Sequence, residues 1–260
     1  MKIRFSIYKK SIKIFRGKGL RKYKIINSIN KKIQDSLRTD FIEIEGNKMY
    51  LGDGDYHSIS LGIFEPEETE LVKRQIKTGQ TAVDIGASIG YYTLIFAKLV
   101  GENGHVYSFE PSSNKFKILQ QNIQLNNFNN IIIEKKVISD TDDKIEILGE
   151  RFEPISLDEY FKNKKIDFIK IDVDGMEKKI VDGMIHILNN NISIKLMMEY
   201  YPPGLERFSG RSTEFPAILE KMGFKIFDIN QKMKKITIDE LENMYPNSQN
   251  ESTNLFFTRI

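Results

Sequence analysis

The stretch "VDIGASIGYYT", residues 83–93, decides how the chain is read. A short apolar run carries Asp84 near its end, a glycine turn follows, and an apolar helix begins in "YYTLIFAKLV". A strand passing through a glycine turn into a helix opens an α/β sheet, whose ligands bind beyond the carboxyl ends of the strands. Gly86 allows the tight turn, and Gly90 allows close approach of helix and ligand. The helix N-terminus offers N–H groups to a polar ligand. Gly86-Ala87-Ser88-Ile89-Gly90 also fits G-x-S-x-G, the strained turn on which hydrolases display a nucleophilic serine. That reading needs an acid and then a histidine downstream. Of three histidines, His57 lies upstream, His105 starts the second strand at the wrong end of the sheet, and His186 falls within an apolar helix. Ser88 is therefore read as a small turn residue.

Outward from this unit, strands and helices alternate. "GHVYSFEP" is a second strand, and "SSNKFKILQQNIQLNN" a helix capped by Ser112 or Ser113. "NIIIEKKVIS" is a third strand with "KIEIL" as an addition, and "KIDFIKIDVDG" a fourth. "MEKKIVDGMIHIL" reads as one helix, "SIKLMMEYYPP" as a fifth strand and "TEFPAILEKMG" as a helix. "FKIFDI" and "TNLFFTRI" supply the last strands. Alternation of this kind predicts an α/β doubly wound sheet with right-handed crossovers.

The net charge of +3 hides an asymmetry. Residues 1–40 hold 13 Lys or Arg against two acids, so a basic arm punctuated by isoleucines precedes an acidic body. Such an arm suits an anionic membrane surface or nucleic-acid phosphate, or is a solvated helical extension. Residues 41–80 read as a β-hairpin ("FIEIEG" with "GDGD" as turn material) and a helix, and 81–260 as the α/β domain. There is no cysteine, which excludes disulfides and thiolate chemistry. No apolar run reaches membrane-spanning length, and the N-terminus lacks a signal-peptide block, so a cytoplasmic or membrane-peripheral protein is expected.

The ligand follows from the acids around the turn. A dinucleotide motif needs glycine at position 88 to admit a pyrophosphate, and Ser88 stands there. Asp84 would repel a phosphate but suits an ammonium or sulfonium. Glu110, 24 residues after Gly86 at the end of the second strand, is placed to accept ribose hydroxyls. A cationic nucleoside without an essential phosphate is implied, a description that S-adenosylmethionine meets.

Residues 81–127 resemble the cofactor half of class I S-adenosylmethionine-dependent methyltransferases. "ISLDEYFKNKKIDFIKIDVDGMEKKIVDGM" further resembles the FkbM-type family, whose fourth strand ends in D-(V/I)-E-G-x-E; here Asp174 replaces the usual Glu. The resemblance spans about residues 50–230. It implies a Rossmann-like methyltransferase sheet of seven strands with the last antiparallel, and methyl transfer to a hydroxyl, often of a sugar or polyketide. It also implies that Asp84, Gly86, Ala87, Ser88 and Gly90 cradle the methionine portion, and that Glu110 holds the ribose. Ser139 and Asp140 would lie near the adenine, with Asp172 facing the methyl.

Methyl transfer to oxygen requires alignment and a proton acceptor. Asp172, Asp174, Glu177 and Glu199 cluster at the carboxyl ends of the fourth and fifth strands, and Asp172 and Asp174 project alike if the strand persists. These residues, with His57, are the candidate bases or acceptor ligands. A Mg²⁺ site made of the same acids is a competing reading, as is capping of the next helix by Asp174. No metal is assigned. In "EYYPPG" the prolines read as a rigid turn shaping the acceptor pocket, and the tyrosines stack on a sugar or pack. The expected function is O-methylation of a glycan or similar hydroxylated metabolite. An RNA methyltransferase using the basic arm and a non-catalytic cofactor-binding module are the alternatives.

Overall fold

A computed structural model of the protein describes residues 41–259 except 53–56, 61, 63, 142, 148 and 250. The basic arm, residues 1–40, lies outside the described residues. The chain divides after Glu65 into two units.

In the first unit, β1 (Phe41–Ile44) and β2 (Asn47–Tyr50) form an antiparallel hairpin, with Phe41 opposite Tyr50 and Ile44 opposite Asn47. Its turn is Glu45-Gly46, both at positive φ, the geometry that matches the twist of a two-residue hairpin. The "GDGD" segment expected to turn comes after β2 and is mostly outside the described residues. A short helix, α1 (His57–Ser60), follows.

The second unit opens with α2 (Pro66–Gln75), which has proline at its first position, Glu67 and Glu68 in its first turn, and Lys73 and Arg74 in its last. Each choice suits the helix terminus it occupies. The alternation then runs β3 (Thr81–Ile85), α3 (Tyr91–Val100), β4 (His105–Phe109), α4 (Ser113–Asn126) and β5 (Ile131–Glu134). A separate hairpin of β6 (Ile145–Ile147) and β7 (Glu150–Phe152) comes next, so "KIEIL" does not extend the main sheet. After α5 (Leu157–Phe161) and β8 (Phe168–Ile171), the expected single helix is two, α6 (Glu177–Asp182) and α7 (Ile185–Asn190). The break has a tertiary cause. The Gly183 carbonyl accepts from Asp158 N–H instead of continuing the helical ladder. The Asp158 carboxylate in turn accepts from His186 N–H and Ile187 N–H and caps α7.

The chain ends with β9 (Lys195–Tyr200), α8 (Pro202–Phe208), α9 (Glu214–Lys221), β10 (Lys225–Asp228), β11 (Lys234–Lys235), α10 (Ile238–Met244) and β12 (Thr253–Thr258). The sheet has the order β11-β10-β12-β9-β8-β3-β4-β5, with β9, β8, β3, β4 and β5 parallel and β12 antiparallel between β9 and β10. It has eight strands where seven were expected; the extra one is β11, a two-residue edge strand paired with β10. β3 is the switch point, since its first crossover leads to β4 on one side and the chain later returns to β8 on the other.

One sheet face carries Val83, Ile85, Ile169, Ile171, Leu196, Met198 and Tyr200 into an apolar core with Ile180, Val181, Leu188, Phe215 and Leu219. Tyr200 is fully buried there against Phe215 and Tyr245, so it packs and does not present a stacking surface. The prolines after it begin α8, a helix start in place of the turn expected.

Candidate functional site

Asp84 sits on β3, in register with Ser108 of β4 and Lys170 of β8, and is 1% exposed. Its Oδ2 accepts from Thr93 Oγ1 at 2.7 Å, and that hydroxyl lies 2.9 Å from Ser108 Oγ. Its Oδ1 is buried and, among the described residues, has no hydrogen-bond partner. Burial pushes the carboxyl above the usual aspartate range, while the Lys170 charge and the Thr93 hydroxyl pull it back. An orphaned buried carboxylate oxygen is costly unless a ligand completes it.

The turn after Asp84 differs from expectation in two ways. Four of its N–H groups are already used: Gly86 and Ala87 both donate to Phe109 O, Ser88 donates to Glu110 Oε2, and Gly90 donates to Ala87 O. The neighbouring strand end collects the first three, so these do not form an open cradle. The glycines also serve the fold. A Cβ on Gly86, at φ +80°, would stand 1.9 Å from Asp172 O. A Cβ on Gly90, at φ +96°, would stand 2.8 Å from Leu119 Cδ1, so Gly90 makes room for α4 where a ligand was expected. Ser88 itself adopts φ +52°.

Glu110, just beyond β4, is nearly buried. It accepts from Ser88 N–H at 2.8 Å and Ser112 N–H at 2.7 Å, one bond to each oxygen. Two lone-pair sites remain, enough for two hydroxyl donors. Burial raises its carboxyl, and the two N–H groups and Lys115 oppose the rise. Beyond β5, Ser139 is buried and its hydroxyl reaches Asp140 Oδ1 at 3.3 Å, with Asp140 exposed.

At the end of β8 the strand stops at Ile171, so Asp172 and Asp174 are not strand neighbours projecting alike. Asp172 Oδ2 pairs with Lys170 Nζ at 2.8 Å. Asp174 is exposed at φ +54°, a conformation that aspartate tolerates better than glutamate. It does not cap α6, whose N-cap residue is Met176. Glu177 Oε1 instead accepts from Val173 N–H at 3.1 Å and ties the loop to the helix. The loop is clamped elsewhere too, because a Cβ on Gly175 would stand 2.3 Å from Gly204 C at the start of α8.

Glu177 is fully buried and Glu199 is the penultimate residue of β9; each has its Oε2 buried without a hydrogen-bond partner among the described residues. Burial, with Asp172 adding repulsion, pushes Glu177 up to about 7. Burial and the charges of Asp172, Glu177 and Asp174 push Glu199 up to about 8. The structure thus brings Asp84, Asp172, Asp174, Glu177 and Glu199 into one electrostatic group, with Asp84 acting on Glu110. His57 heads α1 in the other unit, and its side chain lies outside the description. Among the described residues, no group of three or more His, Asp or Glu is arranged to hold a metal ion.

Lys170 was missed by the sequence reading. It is the charged residue of "FIKI", a strand buried throughout, and that placement was the available signal.

The profile of the methyltransferase FkbM domain matches residues 84–226, and that of protein-L-isoaspartate(D-aspartate) O-methyltransferase matches residues 23–140. No curated protein matches the chain. Among solved structures, a candidate rRNA methylase from Clostridium thermocellum aligns with a TM-score of 0.53 at 13% identity, over 75% of this chain and 94% of that one. A SAM-dependent methyltransferase from Aquifex aeolicus aligns with a TM-score of 0.46 at 16% identity, over 75% and 90%. At such identities the likeness is one of fold.

Proposed function

The chain belongs to the FkbM methyltransferase family and is an S-adenosylmethionine-dependent methyltransferase, and from that premise we propose that it methylates a hydroxyl of a glycan or similar metabolite. The residues suit the methyl donor. Asp84 carries an unpartnered oxygen for a cationic ligand, and Glu110 has lone pairs left for ribose hydroxyls. Asp84 with the turn from Gly86 to Gly90 would adjoin the methionine part, Glu110 the ribose, and Ser139 with Asp140 the adenine. When bound, the donor supplies an activated methyl group.

The observation that carries the acceptor reading is the group of four carboxyl side chains, Asp172, Asp174, Glu177 and Glu199, around the ends of β8 and β9. Carboxyl groups accept hydrogen bonds from hydroxyls and repel phosphate, which disfavours RNA at this site. Glu199 is the proton acceptor in this reading. A carboxyl pushed up to about 8 combines basic strength with a usable ionised fraction near neutral pH. Asp172 and Asp174 orient the acceptor, and Glu177 fixes their loop.

Titration calorimetry with S-adenosylmethionine tests the donor site. The Glu110→Ala variant should bind much more weakly, and unchanged affinity would remove its role. Mass-spectrometric methyl-transfer assays over candidate glycans test the acceptor class. Glu199→Gln should lower kcat by about 10²–10⁴-fold, and an unaffected kcat would exclude it as the base. For residues 1–40 the reading is peripheral contact with an anionic membrane, tested by flotation of the full chain with anionic liposomes. A steep salt-dependent affinity for tRNA would favour RNA instead.

A further inference from the structure

A lysine 4% exposed beneath a site for a cationic ligand needs a physical reason. Burying an ammonium is costly unless it is paired, and a cation there repels the cation to be bound. Lys170 Nζ lies 2.8 Å from Asp172 Oδ2 and 4.9 Å from the centroid of the Tyr92 ring on α3. Its register partner on β3 is Asp84, whose Oδ1 has no hydrogen-bond partner among the described residues. We infer that Lys170 is a positioning residue for the methyl donor: its fixed charge keeps Asp84 anionic beside Asp172, so the ligand's cation meets a ready carboxylate on Asp84 and no proton has to leave it.

The charges around this trio are mostly acids. Asp84 comes from β3 and Tyr92 from α3, and Asp84 in turn acts on Glu110 beyond β4. Glu177 of α6 and Glu199 of β9 act with Asp172, and Asp174 acts on Glu199. Apart from Lys170, every ionisable group in this set is an acid or a tyrosine. Without the lysine, the buried Asp84 carboxyl would lose the charge that opposes its burial and the repulsion of Asp172, and it would take up a proton. Binding a cation would then require that proton to be released, and affinity would depend on pH.

The inference rests on the reading that Asp84 faces the donor, and the test separates the two. Wild type, Lys170→Met and the double variant Lys170→Met/Asp84→Asn are compared with two probes, S-adenosylmethionine and uncharged 5′-methylthioadenosine. The wild-type affinity for 5′-methylthioadenosine should be nearly flat from pH 6 to pH 8, and that for S-adenosylmethionine should rise only as Glu177 and Glu199 ionise. Beyond that baseline, Lys170→Met should gain up to about a further tenfold in S-adenosylmethionine affinity per unit as pH rises, with added proton release seen as heats that depend on the buffer. Its affinity for 5′-methylthioadenosine should stay flat. A purely structural role would weaken both probes equally at every pH.

A second readout uses the unliganded protein. In Lys170→Met the Asp84 carboxyl is raised further, so the native state holds a proton that the unfolded chain releases. Its melting temperature should fall below that of wild type as pH rises from 5 to 8, and Asp84→Asn should restore it. If Lys170→Met does not fold at pH 8 while the double variant does, that is the same result. An S-adenosylmethionine affinity in Lys170→Met that is no steeper in pH than that of wild type, or a double variant no more stable than the single at pH 8, overturns the inference. Failure of the wild type to bind either probe would instead overturn the site reading.

Discussion

The two faces of the central sheet are built from alternate residues of the same strands, yet they are different materials. One face is aliphatic through Val83, Ile85, Ile169, Ile171, Leu196 and Met198, with the rings of Tyr107 and Tyr200 in the same core. The other, beneath α3, carries Asp84, Ser108 and Lys170 side by side, with Thr93 above them. The first face holds the domain together by burial and has no titratable group on those strand positions. The second gives up that uniformity to fix charges next to the strand ends. Stability and chemistry are thus divided between odd and even positions of β3 and β8.

Removing a large side chain from the apolar face should break the comparison most visibly. Phe257→Ala, from a fully buried ring against Phe215, should cost about 3–5 kcal/mol in urea denaturation. The loss should be the same at pH 5 and pH 8. On the polar face, Thr93→Val keeps the volume but removes the donor to Asp84 Oδ2, leaving both carboxylate oxygens without a protein partner. Its cost should be about 1–3 kcal/mol, less than for the phenylalanine, and it should vary with pH. The smallest effect concerns the acids beyond the strand ends. Glu177 and Glu199 are raised to about 7 and about 8, so the native state binds more protons than the unfolded chain above the ordinary glutamate range. Their contribution is present at low pH and is lost as pH rises toward 8. Glu199→Gln should flatten the upper part of that decline in a pH series of thermal melts. An unchanged slope would show that Glu199 does not titrate there.

Much of this was legible because the signals were local. Asp84 stood out as an acid inside an apolar run leading to a glycine turn, and Glu110 followed at the distance of the next strand end. What escaped depended on register and long-range packing. That Phe109 O takes the N–H groups of Gly86 and Ala87, and that Gly90 meets Leu119, follow from how β4 and α4 lie against the turn. The break between α6 and α7 depends on Asp158, on another helix. Tyr200 was readable in principle, since Leu196, Met198 and Tyr200 share one strand face by period two. Lys170 was passed over because a lone lysine among isoleucines looks like ordinary alternation. Its meaning appears once β8 is central and both its faces are covered.

The place of β12 has a consequence for how the molecule is made. Residues 253–258 pair with β9 on one side and β10 on the other. During synthesis, every other strand of the sheet leaves the ribosome before this one. Until it arrives, β9 has an unsatisfied edge next to the strand ends that carry the acids, and Tyr200 and Met198 lack their neighbour Leu255. An open edge flanked by apolar side chains is a template for unwanted pairing. The nascent chain therefore has its most vulnerable moment late, when nearly the whole domain has emerged and only its central clasp is missing.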